Sequence, residues 1–198
     1  RARLERLAVR DELTGLYNRR YLHTRLQEEF KRAERFRDPL ACAMIDLDHF
    51  KAFNERFGHS LGDLALQETA KRLRGSVREI DVVARYGGEE FLLVLPSTHF
   101  GGALTVADRV WRTIGATPYR LAGKEYRITV SVGVALYPSR DVKTKDELVK
   151  LGELAGSALR GLRIEQRERA HRPRRRRPLD LARDVLDRAR GIREHALA

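Results

Sequence analysis

Cysteine is all but missing: Cys42 stands alone among 198 residues, so no internal disulfide can form and nothing calls for an oxidising compartment. The cytoplasm is the expected location. Long apolar runs are missing too. No stretch approaches the roughly 20 apolar residues of a membrane span, and no charged-then-apolar leader precedes the first helix-like segment. Leu4, Leu7 and Val9 among charges read as the end of an amphipathic helix, and hence as a fragment of a longer protein, without a membrane span of its own. The histidines His23, His49, His59, His99, His171 and His195 lack metal-ligand spacing, so no zinc site is expected.

Acidic residues are also short, 28 against 40 Lys and Arg, which leaves a formal charge of +12 and makes a polyanion a reasonable partner. The excess is concentrated late: residues 163–198 hold twelve arginines against six acids, with Arg174–Arg177 bracketed by Pro173 and Pro178. No aromatic is interleaved with those arginines, so salt-dependent polyanion binding is open to the tail but stacking on specific bases is not. The organisation predicted is a linker helix over 1–10, one domain over 11–164, and an arginine-rich tail over 165–198 that is mobile or forms one helix.

Hydrophobic periodicity within the domain changes several times. Asn18 can cap a helix carrying Tyr21, Leu22, Leu26, Phe30 and Ala33, ended by Asp38-Pro39. Leu40 to Ile45 reads as a strand running into Asp46-Leu47-Asp48, and residues 61–77 read as a helix. Val82–Arg85 and Phe91–Leu95 flank Gly87-Gly88-Glu89-Glu90, a hairpin whose glycines are expected to permit positive φ. A helix over about 101–115, a strand from Tyr126 to Leu136 and a helix from Thr144 to Leu162 follow. Trp111 and Cys42 read as core. The fold class is α/β (α+β), a mixed, mainly antiparallel sheet flanked by helices.

If the strand ending at Asp46 pairs beside the hairpin, Asp46, Glu89 and Glu90 come together, and clustered carboxylates repel unless a cation joins them. Hard oxygens at a strand end suit Mg²⁺, which takes one or two carboxylates together with substrate phosphates. Solvated acids at turns remain the plainer alternative. Asn54 and Asp63 are the right types to read guanine, an amide serving N3 or O6 and a carboxylate accepting from the N1–H and N2–H₂ edge. Helix capping is the competing role for both.

Gly87-Gly88-Glu89-Glu90-Phe91 is the GGEEF form of the signature that names GGDEF domains, and the chain resembles that family in five separated blocks. They are Asp11-Glu12-Leu13-Thr14-Gly15-Leu16-Tyr17-Asn18-Arg19-Arg20, Asp46-Leu47-Asp48-His49-Phe50-Lys51, Asn54, Gly58-His59 with Gly62-Asp63, and Arg85-Tyr86 before the glycines. The resemblance implies a palm-like nucleotidyl cyclase fold and a diguanylate cyclase, an enzyme condensing two GTP into cyclic di-GMP across a homodimer. It further implies Mg²⁺, with Mn²⁺ as a substitute, held by Asp46, Glu89, Glu90 and the carbonyl of Leu47, and deprotonation assisted by Glu89 or Glu90. Phe50 and Lys51 would wrap phosphate, Asn54, His59 and Asp63 would bind substrate, and Arg160 would stand for a triphosphate-binding lysine. Arg78 and Asp81, an Arg-x-x-Asp element, would with Arg109 form a product-inhibition site. An upstream sensory domain would supply the input.

The match thins at the last helix, where Gly152, Gly156 and Gly161 each weaken a helix by up to about 1 kcal/mol relative to alanine, so a poorly formed element is expected. Two readings follow: an active cyclase, and a catalytically weak domain that binds cyclic di-GMP or GTP as a receptor.

Overall fold

A computed structural model of the protein describes residues 9–169, with side chains described as far as Ser157. The helix expected around Leu4 and Leu7 and the tail beyond residue 169 lie outside the described residues. The chain runs α1 (Arg19–Phe36), β1 (Leu40–Leu47), α2 (Phe50–Phe57), α3 (His59–Gly75), β2 (Val82–Arg85), β3 (Glu90–Pro96), α4 (Phe100–Ala116), β4 (Tyr119–Leu121), β5 (Lys124–Tyr126), β6 (Val130–Tyr137) and α5 (Lys145–Arg169). Asn18 caps α1 as its sequence suggests, its side chain accepting from the Tyr21 N–H at 2.9 Å. Left-handed Arg37 then closes the helix, its N–H returning to the Ala33 carbonyl just before Asp38-Pro39.

The main sheet has the order β2-β3-β1-β6 and is antiparallel at every pairing. A parallel element survives only as an isolated bridge between Tyr17 and Ala84, among the described residues. All eight residues of β1 are buried, which requires cover on both faces. Leu40, Cys42 and Met44 pack with Leu22, Leu26 and Phe30 of α1 and Leu148 and Val149 of α5. Ala41, Ala43, Ile45 and Leu47 pack against Leu66 and Leu73 of α3 and Val110 and Ile114 of α4. Full burial of one such Leu or Ile side chain stabilises by about 1.5–3 kcal/mol, so two packed faces supply the main driving force. Trp111 is only partly buried, at the rim of the second face.

Three expectations are corrected. The strand expected over Tyr126–Leu136 is two strands. β5 turns back on β4 through Gly123 at φ 76°, while β6 starts at Val130 and pairs with β1. Asp48 fixes that new start: its N–H donates to the Thr129 carbonyl at 2.9 Å, and its carboxylate accepts from the Thr129 and Ser131 hydroxyls at 2.6 and 2.7 Å.

The last helix is well formed, 25 residues long and continuous past residue 165. A capping box opens it. Glu147 accepts from the Lys143 and Thr144 N–H groups at 2.7 and 3.0 Å, and the Thr144 hydroxyl accepts from the Glu147 N–H at 3.2 Å. Gly133 lets α5 lie directly on β6, because a Cβ there would strike the backbone at Gly152 and Gly156, whereas a Cβ on Gly152 or Gly156 would make only ordinary contacts, at 3.7 and 3.5 Å. Close packing on the sheet outweighs their local helix penalty.

The third correction concerns the hairpin glycines. Among the described residues, glycines take positive φ at Gly15, Gly58 and Gly123, not at Gly87 or Gly88. A Cβ on Gly87 would crowd only the Glu90 side chain, its carboxylate oxygen at 2.6 Å, and that flexible end can swing aside.

Candidate active site

The antiparallel register of β1 and β3 sets Asp46 directly opposite Glu90. The Leu47 N–H donates to the Glu89 carbonyl at 3.3 Å, which locks the hairpin end against the end of β1. The turn is closed by the Tyr86 and Gly87 N–H groups, both donating to the Glu90 carbonyl, at 2.8 and 3.1 Å. Asp46 is 5% exposed, while Glu89 and Glu90 are half-buried. The structure therefore brings Asp46, Leu47, Glu89 and Glu90 together at one sheet end. Among the described residues no three acidic, histidine or cysteine side chains converge as a ready metal cage. A pair of hard carboxylates short of a cage fits Mg²⁺ completed by substrate phosphate, and does not fit a closed structural metal.

Immediately after β1 the backbone makes a strained step. His49 sits at φ 60°, a left-handed conformation uncommon outside glycine, and it starts α2 without a side-chain cap. The first N–H groups of α2 are left for another acceptor beside the carboxylates. Phe50 is buried, so only its backbone can serve a ligand, and Lys51 is exposed with a loose 3.9 Å pairing to Glu55. Gly58 at φ 87° ends α2 and begins α3, folding the two helices against each other. That fold sets Asn54 against Gly62, the neighbour of exposed Asp63, with His59 exposed at the helix start. The Asn54 Oδ1 is buried with no hydrogen-bond partner. Arg160 falls on α5, and its side chain lies outside the described residues.

Arg78 and Asp81 form a hydrogen-bonded cluster of their own. Asp81 is fully buried at its side chain and accepts from Arg78 through Nε at 3.2 Å, Nη2 at 2.8 Å and the backbone N–H at 2.8 Å. Arg78 also donates to the Thr98 hydroxyl at 2.8 Å and the Pro96 carbonyl at 3.3 Å. Hydrogen bonding to Asp81 raises the Arg78 pKa above its ordinary value. Arg109, from α4, donates to the Ser76 carbonyl at 2.8 Å, which places it at the same turn. The guanidinium of Arg78 is thus held rigid while about half of its side chain, 49%, stays exposed.

Residues 8–169 match the family model described as "Diguanylate cyclase, GGDEF domain". The chain belongs to the GGDEF family. It is similar to the response regulator PleD of Caulobacter vibrioides, 45% identical over 131 residues, which covers 65% of this chain and 29% of PleD. The chain thus spans under a third of that relative. The crystal structure of the GGDEF domain of YfiN, also called TpbB, from Pseudomonas aeruginosa superposes with a TM-score of 0.72 at 36% identity, covering 75% of this chain and 92% of that one. The GGDEF domain of DgcB from Caulobacter crescentus, solved in complex with cyclic di-GMP, superposes with a TM-score of 0.72 at 28% identity, covering 78% and 89%.

Two arginines of this GGDEF domain carry structure that residue-by-residue reading missed. Arg85 joins the N-terminal turn to the signature turn: it donates to both carboxylate oxygens of Asp11 at 3.3 Å and to the Gly88 carbonyl at 2.8 and 3.2 Å. Burial pushes the Asp11 carboxyl upward, but hydrogen bonds from Thr14 and the nearby Arg85 outweigh it and hold the group below its usual value. Arg72 closes the end of α4, which has no basic residue in its last turn, by donating to the carbonyls of Thr113, Ile114, Thr117 and Pro118. Asp11 and Arg85 each fall in a family block, so their common placement was the available signal. Arg72 left none. No helix among the described residues is long and apolar enough to cross a membrane.

Proposed function

We propose that this GGDEF domain is a Mg²⁺-dependent diguanylate cyclase that acts as a homodimer, each subunit presenting one GTP to the other, and that cyclic di-GMP inhibits it at Arg78 and Asp81. The observation that carries the reading is the register pairing of Asp46 with Glu90 beside the uncapped start of α2. Asp46, Glu89 and Glu90, with the Leu47 carbonyl, would hold the metal, which when bound neutralises triphosphate charge and stabilises in-line displacement at the α-phosphate. The free N–H groups of α2 bind phosphate oxygens, and Asn54 and Asp63 fix the guanine. Glu89 or Glu90 accepts the proton of the attacking 3′-hydroxyl. Two successive attacks release two pyrophosphates. Arg78, prearranged by Asp81, offers a planar donor fork suited to guanine O6 and N7, with Arg109 as a second arm.

The test is to incubate nucleotide-free protein with GTP and Mg²⁺ and follow cyclic di-GMP by chromatography. Product should disappear in Glu89→Ala and rise in Arg78→Ala. No product from the intact chain, with cyclic di-GMP bound through Arg78, would favour the receptor reading, which the departure from the family pattern over Gly152–Arg160 already motivates.

A further inference from the structure

Gly62 occupies the first turns of α3, where a side chain would ordinarily favour the helix over glycine. The structure leaves no room for one while the Asn54 side chain keeps its place. A Cβ built on Gly62 would collide with Asn54 Oδ1, lie 3.0 Å from Asn54 Cγ and press on the Phe50 ring at 3.2 Å. The same Oδ1 is buried and without a hydrogen-bond partner, whereas the amide nitrogen is not among the buried unsatisfied atoms. The orientation has a physical reason. In the enclosed position the oxygen leaves one acceptor unpaired, whereas the flipped amide would bury two N–H donors without an acceptor.

We propose that Gly62 is a positioning residue of the guanine site, and that it makes Asn54 a hydrogen-bond donor to the nucleotide. With Oδ1 sealed against α3, Asn54 turns its N–H₂ toward a purine acceptor, N3 or O6. The exposed carboxylate of Asp63, one residue beyond Gly62, is left to the donor edge. This assignment rests on the reading of Asn54 as a guanine contact. It adds the polarity of that contact and the residue that sets it.

The experiment measures the dissociation constant for GTP on the whole chain, by competition with a ribose-labelled fluorescent GTP, together with the thermal midpoint. The variants are Gly62→Ala, Asn54→Ala, their combination and Asn54→Asp. Gly62→Ala should weaken GTP about tenfold or more while the thermal midpoint holds or rises, because alanine favours the helix. In the Asn54→Ala background the same change should have no further effect, since the atom that it strikes is gone. Asn54→Asp, nearly isosteric but only an acceptor, should bind GTP as poorly as Asn54→Ala. A structural role alone would not produce that equality. Wild-type affinity in Gly62→Ala, full additivity in the double variant, or retained affinity in Asn54→Asp would each overturn the proposal. If Asn54→Ala itself binds GTP normally, it is the guanine reading of Asn54 that fails.

Discussion

Two helices of this domain begin in opposite ways. At α5 the Thr144 hydroxyl accepts from the Glu147 N–H of the first turn, and the Glu147 carboxylate accepts from the Lys143 and Thr144 N–H groups before it, so the start is closed from within the chain. At α2 the start is a left-handed His49 with no side-chain bond, and the donors stay open next to Asp46 and the signature turn. α3 and α4 also start without a side-chain cap, so a bare start alone marks nothing; that of α2 stands out because it follows directly on Asp46 at the end of β1, where free donors and the positive end of a helix dipole favour an anion.

Capping α2 would break the contrast most sharply. His49→Asp puts a carboxylate where the phosphate is expected, and an Asp tolerates the left-handed backbone. It should weaken GTP binding at least about tenfold, ~1.4 kcal/mol, with the thermal midpoint unchanged or higher; nucleotide titration and a melt of the same sample check both. Equal affinity would remove the start of α2 from the site.

Uncapping α5 is the converse and should be smaller. Thr144→Ala is expected to destabilise by about 1 kcal/mol, a fall of roughly 2–4 °C for a domain of this size, while GTP affinity is unmoved. A loss of affinity there would mean that the two helix starts are not separate in function.

The smallest effect is the acid dependence of the α5 box. Hydrogen bonds from the backbone, that of Lys143 first, hold the Glu147 carboxyl below its usual 4.5. Because the folded pKa is depressed, its contribution is fully present above 4.5 and is lost as pH falls through the lower folded value. The difference in thermal midpoint between the parent and Glu147→Gln should therefore be visible at neutral pH and shrink on acidification. A gap that widened toward low pH would contradict the sign.

The long elements were legible because their signals are local: Asn18 followed by a helical apolar repeat, an apolar run ending at Asp46, and a Gly-Gly turn between two apolar strands. From that pairing the approach of Asp46 to Glu89 and Glu90 could be read as well. Short elements were not. Residues Phe50–Phe57 give too few turns for a period to show, and the three-residue strands β4 and β5 merged with β6 in a reading that cannot see Asp48 holding Thr129 and Ser131. The glycines mark the limit of local reasoning. Gly152 and Gly156 count against a helix when taken alone, yet α5 forms across them, and the glycine that the interface requires is Gly133 on the facing strand. Gly87 likewise suggests a left-handed turn, whereas the turn closes without positive φ, through the Tyr86 and Gly87 N–H groups on the Glu90 carbonyl.

Cys42, wholly enclosed in the middle of β1, has its thiol pushed by burial to about 12. At neutral pH it offers essentially no thiolate to an alkylating reagent, and the chain contains no other cysteine. A cysteine introduced at exposed Phe36 or Leu154 would therefore take a spin label or fluorophore as the sole reactive sulfur. Separations between two copies of the domain can then be measured by resonance methods, with the native sulfur left in place.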